Sequence, residues 1–397
     1  MRFYLLIGAV SAVVTFGLAI LVFRLSTKYR LYPKIRERDV HTRPTPRLGG
    51  VAMFAGVVIA VGIASQISWF HLVFMNPGPI LAILGAALIV VLIGVADDVW
   101  DLDWVVKLAG QIIAALLLAW QGVQIVSLPI GGLTIGSSGA SLFITVLAIV
   151  LVMNAINFID GLDGLVAGVA IIANGTFFLY SYLLTKFTSP TDYFNMASLI
   201  TAVLIGACIG FLPLNWHPAR LFMGDAGSML VGLLMATSAI AVTGQIDPGT
   251  LGRSQLLPAF MPILLPFAIL ILPLLDFGLA IIRRLRAGKS PFSADRKHLH
   301  HRLLDMGHSQ LHAVFIFYGW TAVASVGCLL FFVLQPYWLA FVFLGVGMLV
   351  CTVLTLAPLT RRKALEATVQ LAPAASLIST EGAVLDPLDQ AGDQQKV

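Results

Sequence analysis

Apolar runs of about 20 residues follow one another along most of this chain, and few folds can accommodate them. A helix needs about 20 apolar residues to cross a bilayer, where only helices and closed barrels satisfy their own backbone hydrogen bonds. The sequence is 59% hydrophobic and 11% charged, whereas soluble domains have about 25% charged residues. We therefore predict an all-α integral membrane protein, a polytopic bundle of about eleven transmembrane helices. The candidate spans are residues 3–24, 48–68, 79–96, 104–121, 141–158, 164–185, 194–213, 226–243, 256–282, 313–334 and 337–357.

Two segments depart from this simple pattern. The ninth run contains Pro258, Pro262, Pro266 and Pro273. Proline at this density predicts a kinked or broken helix that bends around a cavity. Residues 122–139 alternate between apolar and polar side chains and include two adjacent glycines, so they predict a small outer β-hairpin.

The chain divides into one large unit and a tail. We expect residues 1–363 to form a single transmembrane catalytic domain, and residues 364–397, rich in Ala, Gln and Asp, to form a disordered cytoplasmic tail. The three cysteines fall inside apolar runs, which favours packing over a disulfide or a metal site. The first apolar run is too long for a signal peptide, and we interpret it as a retained helix.

The distribution of basic residues predicts the orientation. All but three of the 24 Lys and Arg residues fall on one side of the predicted spans, the exceptions being Arg2, Lys186 and Arg253. Cytoplasmic loops are enriched in Lys and Arg, so we predict that the N-terminus is outside and the C-terminus cytoplasmic. The formal net charge of +5 reflects this bias and does not indicate a nucleic-acid partner.

A polar segment on the predicted cytoplasmic side, residues 154–168, reads NAINFIDGLDGLVAG. If the helix continues through it, Asn154, Asn157 and Asp160 share one face, and Asp163 lies one turn beyond Asp160. Such a cluster at a membrane edge is costly unless it is functional, and its oxygens suit a hard cation and a phosphate. The alternative is a helix-capping turn, because Asn, Asp and Gly favour helix ends.

A second acidic cluster ends the third apolar run. Asp97 and Asp98 are adjacent there, and Lys107 begins the next run within reach of them. The alternative interpretation is a solvated acidic loop with a single salt bridge.

Asp225 joins the seventh and eighth runs, between Gly224 and Gly227. It precedes a predicted helix, so it is either an N-cap residue or a metal ligand beside a helix N-terminus that faces an anion. The glycines would let the backbone approach a ligand closely, which favours the functional interpretation.

Residues 295–302, DRKHLHHR, form a basic, histidine-rich loop. Its density of Arg, Lys and His indicates a phosphate- or nucleotide-binding surface. A zinc site would need a matching Cys pair or more histidines nearby. An anchor for anionic lipids would explain the Arg and Lys residues but not the histidines.

Carboxylates from three loops, a lysine and a basic loop therefore fall on one face of the membrane. These are the groups that metal-assisted phosphoryl transfer requires, because that reaction depends on positioning and on cations that take up developing charge. The edge of the bundle would allow a lipid phosphate to meet a soluble nucleotide.

Five segments also carry a resemblance to a known family. They are PTPRLGG (44–50), ADD (96–98), NAINFIDGLDGL (154–165), RLFMGDAGS (220–228) and DRKHLHHRL (295–303). In sequence and order they resemble the polyprenyl-phosphate N-acetylhexosamine-1-phosphate transferases, or glycosyltransferase family 4. The histidine loop is more similar to the WecA/TagO branch than to the MraY branch, in which three adjacent histidines typically precede an acidic residue.

The resemblance implies an enzyme of the bacterial inner membrane with a cytoplasmic active site. It would transfer GlcNAc-1-phosphate from UDP-GlcNAc to undecaprenyl phosphate, giving undecaprenyl-diphospho-GlcNAc and UMP, with Mg²⁺ or Mn²⁺. This is the first membrane step of O-antigen, teichoic acid or a related polysaccharide. The implied partners are a UDP-sugar, a polyprenyl phosphate, the membrane and, as one option, a second copy of the chain in a homodimer.

The resemblance also implies roles for individual residues. Those implied for catalysis are Asp97, Asp98, Lys107, Asp160 and Asp163. Those implied for metal binding are Asn157 and Asp225. Those implied for substrate binding are Asn154, His298, His300, His301 and Arg302. Because a phosphate monoester has a second pKa of about 6, the acceptor needs little proton removal, and we expect Asp97 to position Lys107 or the metal.

Two alternatives remain open at this point. The same chemistry could use another UDP-HexNAc or UDP-MurNAc-pentapeptide, since a few side chains can decide a sugar pocket. A secondary transporter would place its polar site near the bilayer midplane, and the edge position of these residues argues against it.

Overall fold

The computed structural model describes residues 1–30, 45–125, 137–188, 196–243, 278, 281–286, 288 and 299–357. Regular structure in these residues is helical, and they contain no strand. The helices are α1 (Arg2–Lys28), α2 (Gly49–Ala64), α3 (His71–Phe74, after a 3₁₀ turn at Ser68–Phe70), α4 (Gly78–Trp100), α5 (Trp104–Trp120), α6 (Ser138–Ile159), α7 (Leu165–Thr188), α8 (Met196–Asn215), α9 (Gly224–Thr243), α10 (Leu299–Asp305), α11 (Gln310–Val333) and α12 (Trp338–Ala357).

The predicted polytopic helical architecture is confirmed. Within the described residues, 8 helices are long and apolar enough to cross a membrane, or 9 if one bent pair is counted as a span. Ten of the eleven predicted runs contain one of these helices. In the ninth run the described residues 278, 281 and 282 are also helical. Most of the ninth run, most of the predicted hairpin and the whole tail lie outside the described residues, so the count of eleven stays a prediction.

The second run does not form the straight helix that its hydropathy predicts. After Ala64 the chain bends by 94° into the short helical segment Ser68–Phe74. Ser65 and Gln66 interrupt the apolar sequence, and the Ser65 hydroxyl donates to the carbonyl of Gly62 at 2.7 Å. The backbone of Ile67 is extended. A hydropathy window averages over such a break and therefore missed it.

Helix α9 lies at the centre of the bundle and packs against α2, α4, α6 and α8. Helices α2 and α4 approach the first turn of α9 so closely that there is no space for a side chain at the glycines that form the contacts. A Cβ atom at Gly50 of α2 would collide with the backbone of Gly227, and one at Gly94 of α4 with that of Ala226. Small residues at helix contacts allow such backbone packing in membranes.

The polar segment after α6 breaks the helix rather than continuing it. Helix α6 ends at Ile159, Asp160 is its C-cap residue with φ −75° and ψ 64°, and α7 begins only at Leu165. Gly164 adopts φ +74°, a conformation that glycine tolerates best. The expectation that Asp163 lies one helical turn beyond Asp160 was therefore wrong, because a turn separates α6 from α7 here.

Candidate active site

Three charged side chains meet where α4 ends and where α5 and α9 begin. Nζ of Lys107 lies 2.9 Å from Oδ2 of Asp97 and 2.5 Å from Oδ2 of Asp225. Asp97 is buried, whereas the side chains of Lys107 and Asp225 keep 24% and 27% of their surface exposed. The predicted reach of Lys107 to Asp97 is confirmed. Two carboxylates share one ammonium, so the group can accept a further cation.

Asp98 lies against the N-terminus of α9. Its carboxylate faces the backbone N–H groups of Asp225 and Ala226, where a negative charge is favourable. Gly224 has φ +66°, and a Cβ atom there would collide with Oδ2 of Asp98 and with the carbonyl oxygen of Arg47. In the described part of the chain, this buried Oδ2 has no hydrogen-bond partner. Asp98 therefore combines a capping contact with an unpaired oxygen.

The start of α2 is joined to the segment before α9 by main-chain hydrogen bonds. The N–H of Gly49 donates to the carbonyl of Phe222, and the N–H of Gly50 donates to the carbonyl of Met223, each at 2.9 Å. Two of the motifs that carry the family resemblance are thus in direct contact.

This contact places Arg47 beside the carboxylates. Its positive charge interacts with Asp98 and Asp160. Sequence reasoning assigned Arg47 no role of its own. Its position in the PTPRLGG motif was the signal that could have identified it.

Asn157 and Asp225, the two residues expected to bind metal, are brought together. The Asn157 side chain faces Asp225, and its Nδ2 donates to Oγ of Ser228 at 2.8 Å. This orientation leaves the amide oxygen available to a ligand. Ser228, one turn after Asp225, is an additional residue of the site.

Asn154 lies one helical turn before Asn157 on α6, and its amide nitrogen points into the bundle. Nδ2 donates to Oε1 of Gln111 at 2.6 Å and to the carbonyl of Val150 at 2.8 Å. The amide nitrogen is therefore committed to protein groups.

Asp163 forms a set of contacts separate from the group of Lys107, Asp97 and Asp225. It is buried, and its Oδ2 lies 2.8 Å from Nδ1 of His217 and accepts from the backbone N–H of Ala219 at 3.1 Å. Asp163 therefore fixes the segment that leads into the Asp225 motif. His217 lies 54 residues further along the chain, which is why the sequence did not suggest the pair.

Asp160 is half-buried beside the site. Burial raises the pKa of its carboxyl to about 7, and the negative charge of Asp225 adds to the rise. Asp160 can therefore change its charge near neutral pH.

The histidine-rich loop is described only in part. His298 lies outside the described residues, and His300 and His301 belong to α10. Arg302 is exposed, and α10 packs against α11. The expected role of this loop stays a prediction.

The donor set fits a magnesium ion. No group of three or more His, Cys, Asp or Glu side chains arranged for metal binding occurs in the described segments. Mg²⁺ is commonly held by only one or two carboxylates together with substrate phosphates and water. Asp225 and the Asn157 amide oxygen offer such a partial set.

Comparison with known proteins agrees with the resemblance. Residues 80–243 match the model of Glycosyl transferase family 4. The chain is 40% identical to the decaprenyl-phosphate N-acetylglucosaminephosphotransferase of Mycobacterium tuberculosis, over 90% of this chain and 89% of that protein. It is 39% identical to the Mycobacterium leprae protein of that name, over 90% and 91%. It is 33% identical to the probable undecaprenyl-phosphate N-acetylglucosaminyl 1-phosphate transferase of Bacillus subtilis, over 75% and 76%. The chain therefore belongs to glycosyl transferase family 4, among the polyprenyl-phosphate GlcNAc-1-phosphate transferases.

Proposed function

We propose that this protein transfers GlcNAc-1-phosphate from UDP-GlcNAc to a polyprenyl phosphate on the cytoplasmic face of a bacterial inner membrane. The product would begin a cell-envelope polysaccharide. The observation that carries the proposal is the position of Lys107 between Asp97 and Asp225. An ammonium held at the end of a membrane helix suits a reaction between a lipid phosphate and a nucleotide diphosphate. The basic residues concentrated on one side of the spans support the cytoplasmic orientation.

The reaction exchanges one phosphoanhydride bond for another. An oxygen of the acceptor phosphate attacks the β-phosphorus of UDP-GlcNAc, the bond from that phosphorus to the bridging oxygen breaks, and UMP leaves with the bonding electrons. The acceptor is mostly dianionic at neutral pH, because its second pKa is about 6. Little proton removal is needed, so Asp97 serves to hold Lys107, and Lys107 offsets the repulsion between the two phosphate groups.

Asp225 and Asn157 are the residues that would hold Mg²⁺, or Mn²⁺ in its place. Asp98 caps the helix that carries Asp225. When bound, the ion neutralises charge on the diphosphate and stabilises the departing UMP. Asp160 adds a negative charge whose presence depends on pH. Asp163 and Asn154 support the site through His217 and Gln111. His298, His300, His301 and Arg302 would bind the diphosphate and sugar.

The length of the lipid carrier is a separate question. The two mycobacterial relatives, at 39% and 40% identity, are named for decaprenyl phosphate, and the Bacillus subtilis relative, at 33%, is named for undecaprenyl phosphate. We therefore favour decaprenyl phosphate over the undecaprenyl phosphate expected from the motifs alone.

The direct test is reconstitution with defined substrates. Purified protein with UDP-GlcNAc, decaprenyl phosphate and Mg²⁺ should release UMP and form one lipid product, and chelation of the metal should stop both. Undecaprenyl phosphate, another UDP-HexNAc and UDP-MurNAc-pentapeptide should be poorer substrates in parallel reactions. A preference for UDP-MurNAc-pentapeptide would move the protein to the related branch. Passage of intact UDP-GlcNAc into proteoliposomes without UMP release would indicate a transporter instead.

A further inference from the structure

A second polar layer lies beneath the charged groups of the site. Oε1 of Gln111, on α5, accepts from Nδ2 of Asn154, on α6, at 2.6 Å. Nε2 of Gln111 donates to Sδ of Met229, on α9, at 3.2 Å. Gln111 is 3% exposed, so its amide is enclosed by these three helices.

This layer repeats the arrangement of the site one helical turn deeper. Gln111 follows Lys107 by four residues on α5, and Asn154 precedes Asn157 by three on α6. On α9, Met229 follows Asp225 by four residues. Residues at these spacings lie on the same helix face. Gln111 therefore joins the three helices whose next turns carry Lys107, Asn157 and Asp225.

The chemistry of the amide explains why an apolar residue could not replace Gln111 without loss. A buried amide is costly unless its donor and acceptor are both used, and Gln111 uses one with each neighbour. Leucine would fill similar space but would remove the acceptor that Asn154 now has. It would also remove the two hydrogen bonds that join α5 to α6 and α9 in this layer.

We propose that Gln111 is a positioning residue, which with Asn154 sets the distances between Lys107, Asn157 and Asp225. Asn154 then acts through Gln111 and does not bind substrate through its amide nitrogen. The proposal rests on the function proposed above. It adds a residue that none of the five motifs contains.

The test compares Gln111→Leu with Gln124→Leu. Gln124 also joins α6 to the chain after α5, because its Oε1 accepts from Ser141 Oγ at 3.2 Å. It lies at the opposite end of these helices, far from Lys107, so Gln124→Leu controls for the loss of a helix contact. Turnover is measured per mole of folded protein, with the Tm of each variant and the binding of UDP in the absence of acceptor.

We expect Gln111→Leu to lower kcat by about 10- to 100-fold, since small misplacements of reacting groups cost this much. The KM for UDP-GlcNAc and the affinity for UDP should change little, because the lost arrangement matters in the transition state. Gln124→Leu should lower the Tm by a similar amount but should keep the kcat of wild type. If Gln111→Leu does not give a single folded species, Gln111→Met provides the same comparison with a more flexible side chain.

A double-mutant cycle with Asn154→Leu separates coupling from general damage. If the two residues act as one unit, the double variant should be no slower than the slower single variant. If the rate losses of the two single variants multiply in the double variant, the two residues act independently and the proposal is wrong. A kcat of Gln111→Leu equal to that of wild type would also overturn the proposal. Neither result would affect the proposed function. An inactive wild-type protein would instead overturn the proposed function.

Discussion

Nζ of Lys107 lies 2.9 Å from Oδ2 of Asp97, so an ion pair connects the end of α4 to the first turn of α5. Asp97 is buried behind the lysine, which is itself partly exposed. The carboxylate is therefore engaged by Lys107 and largely enclosed. This geometry favours a positioning role for Asp97 over a role as general base.

Asp97→Asn should be slower than wild type by a similar factor at about pH 6.5 and about pH 9, because the acceptor phosphate, with its second pKa of about 6, needs no base. We expect a loss of about 10- to 100-fold from misplacement of Lys107. Initial rates of UMP release at the two pH values check this. Marked recovery of the variant at the higher pH would show that Asp97 removes a proton.

Asp225→Asn should lose activity by about a hundredfold or more, because it removes a charged ligand of the proposed metal and one partner of Lys107. The protein should still fold, since asparagine preserves the shape of the side chain. Asp101→Asn is the matched control: Asp101 is an exposed acid with φ +54° at the end of α4, a conformation that Asn also tolerates. Near-normal turnover of Asp225→Asn with an unchanged Mg²⁺ requirement would contradict the assignment.

Asp160 should make the Mg²⁺ requirement depend on pH. Its carboxyl has a pKa of about 7, so it is largely neutral at lower pH and becomes negative as the pH rises. The Mg²⁺ concentration for half-maximal activity should therefore fall between about pH 6 and about pH 8. In Asp160→Asn the part of this pH dependence that comes from Asp160 should disappear. The part that comes from titration of the acceptor phosphate should remain in both the variant and the wild type. Identical pH dependence in the two proteins would exclude the effect.

Arg302→Ala and His300→Ala should raise the KM for UDP-GlcNAc several-fold more than the KM for the lipid, because the loop is expected to bind the diphosphate. Lys28→Ala removes a basic residue at the exposed end of α1 and controls for the loss of one positive charge. Metal analysis of the purified protein tests the alternative. Stoichiometric zinc would mean that the histidines form a metal site.

Gly94→Ala should lower the Tm in detergent, because its Cβ atom would collide with the backbone of Ala226. Overpacking of this kind costs about 1–3 kcal/mol, and it would also displace Asp225. Gly62→Ala, on α2, places its Cβ atom in open space and should leave the Tm unchanged or raise it. Equal Tm values for the two variants would show that α4 and α9 can separate at little cost.

The sequence predicted much of the fold because long apolar runs have few alternatives in a bilayer. It could not locate breaks that depend on single residues, such as the bend after Ala64 and the end of α6 at Ile159. Both are local exceptions within strongly apolar surroundings, and a 20-residue window does not resolve them.

The site was predictable where its residues are close in sequence or belong to a motif. Asp97 and Lys107 are separated by one short connection, and their pairing was expected. Gln111 lies within an apolar run and carries no motif, and His217 pairs with an aspartate two helices earlier. Such contacts depend on how the helices pack, which hydropathy and spacing do not determine.

The main-chain bonds from Gly49 and Gly50 to Phe222 and Met223 have a consequence for biosynthesis. The N-terminal turn of α2 leaves the ribosome early, but its partners follow only after α3 to α8 have been made. Until then the N–H groups of Gly49 and Gly50 lack these two partners. Membrane insertion of the early helices therefore precedes assembly of the site, and a nascent chain remains inactive until the start of α9 has emerged.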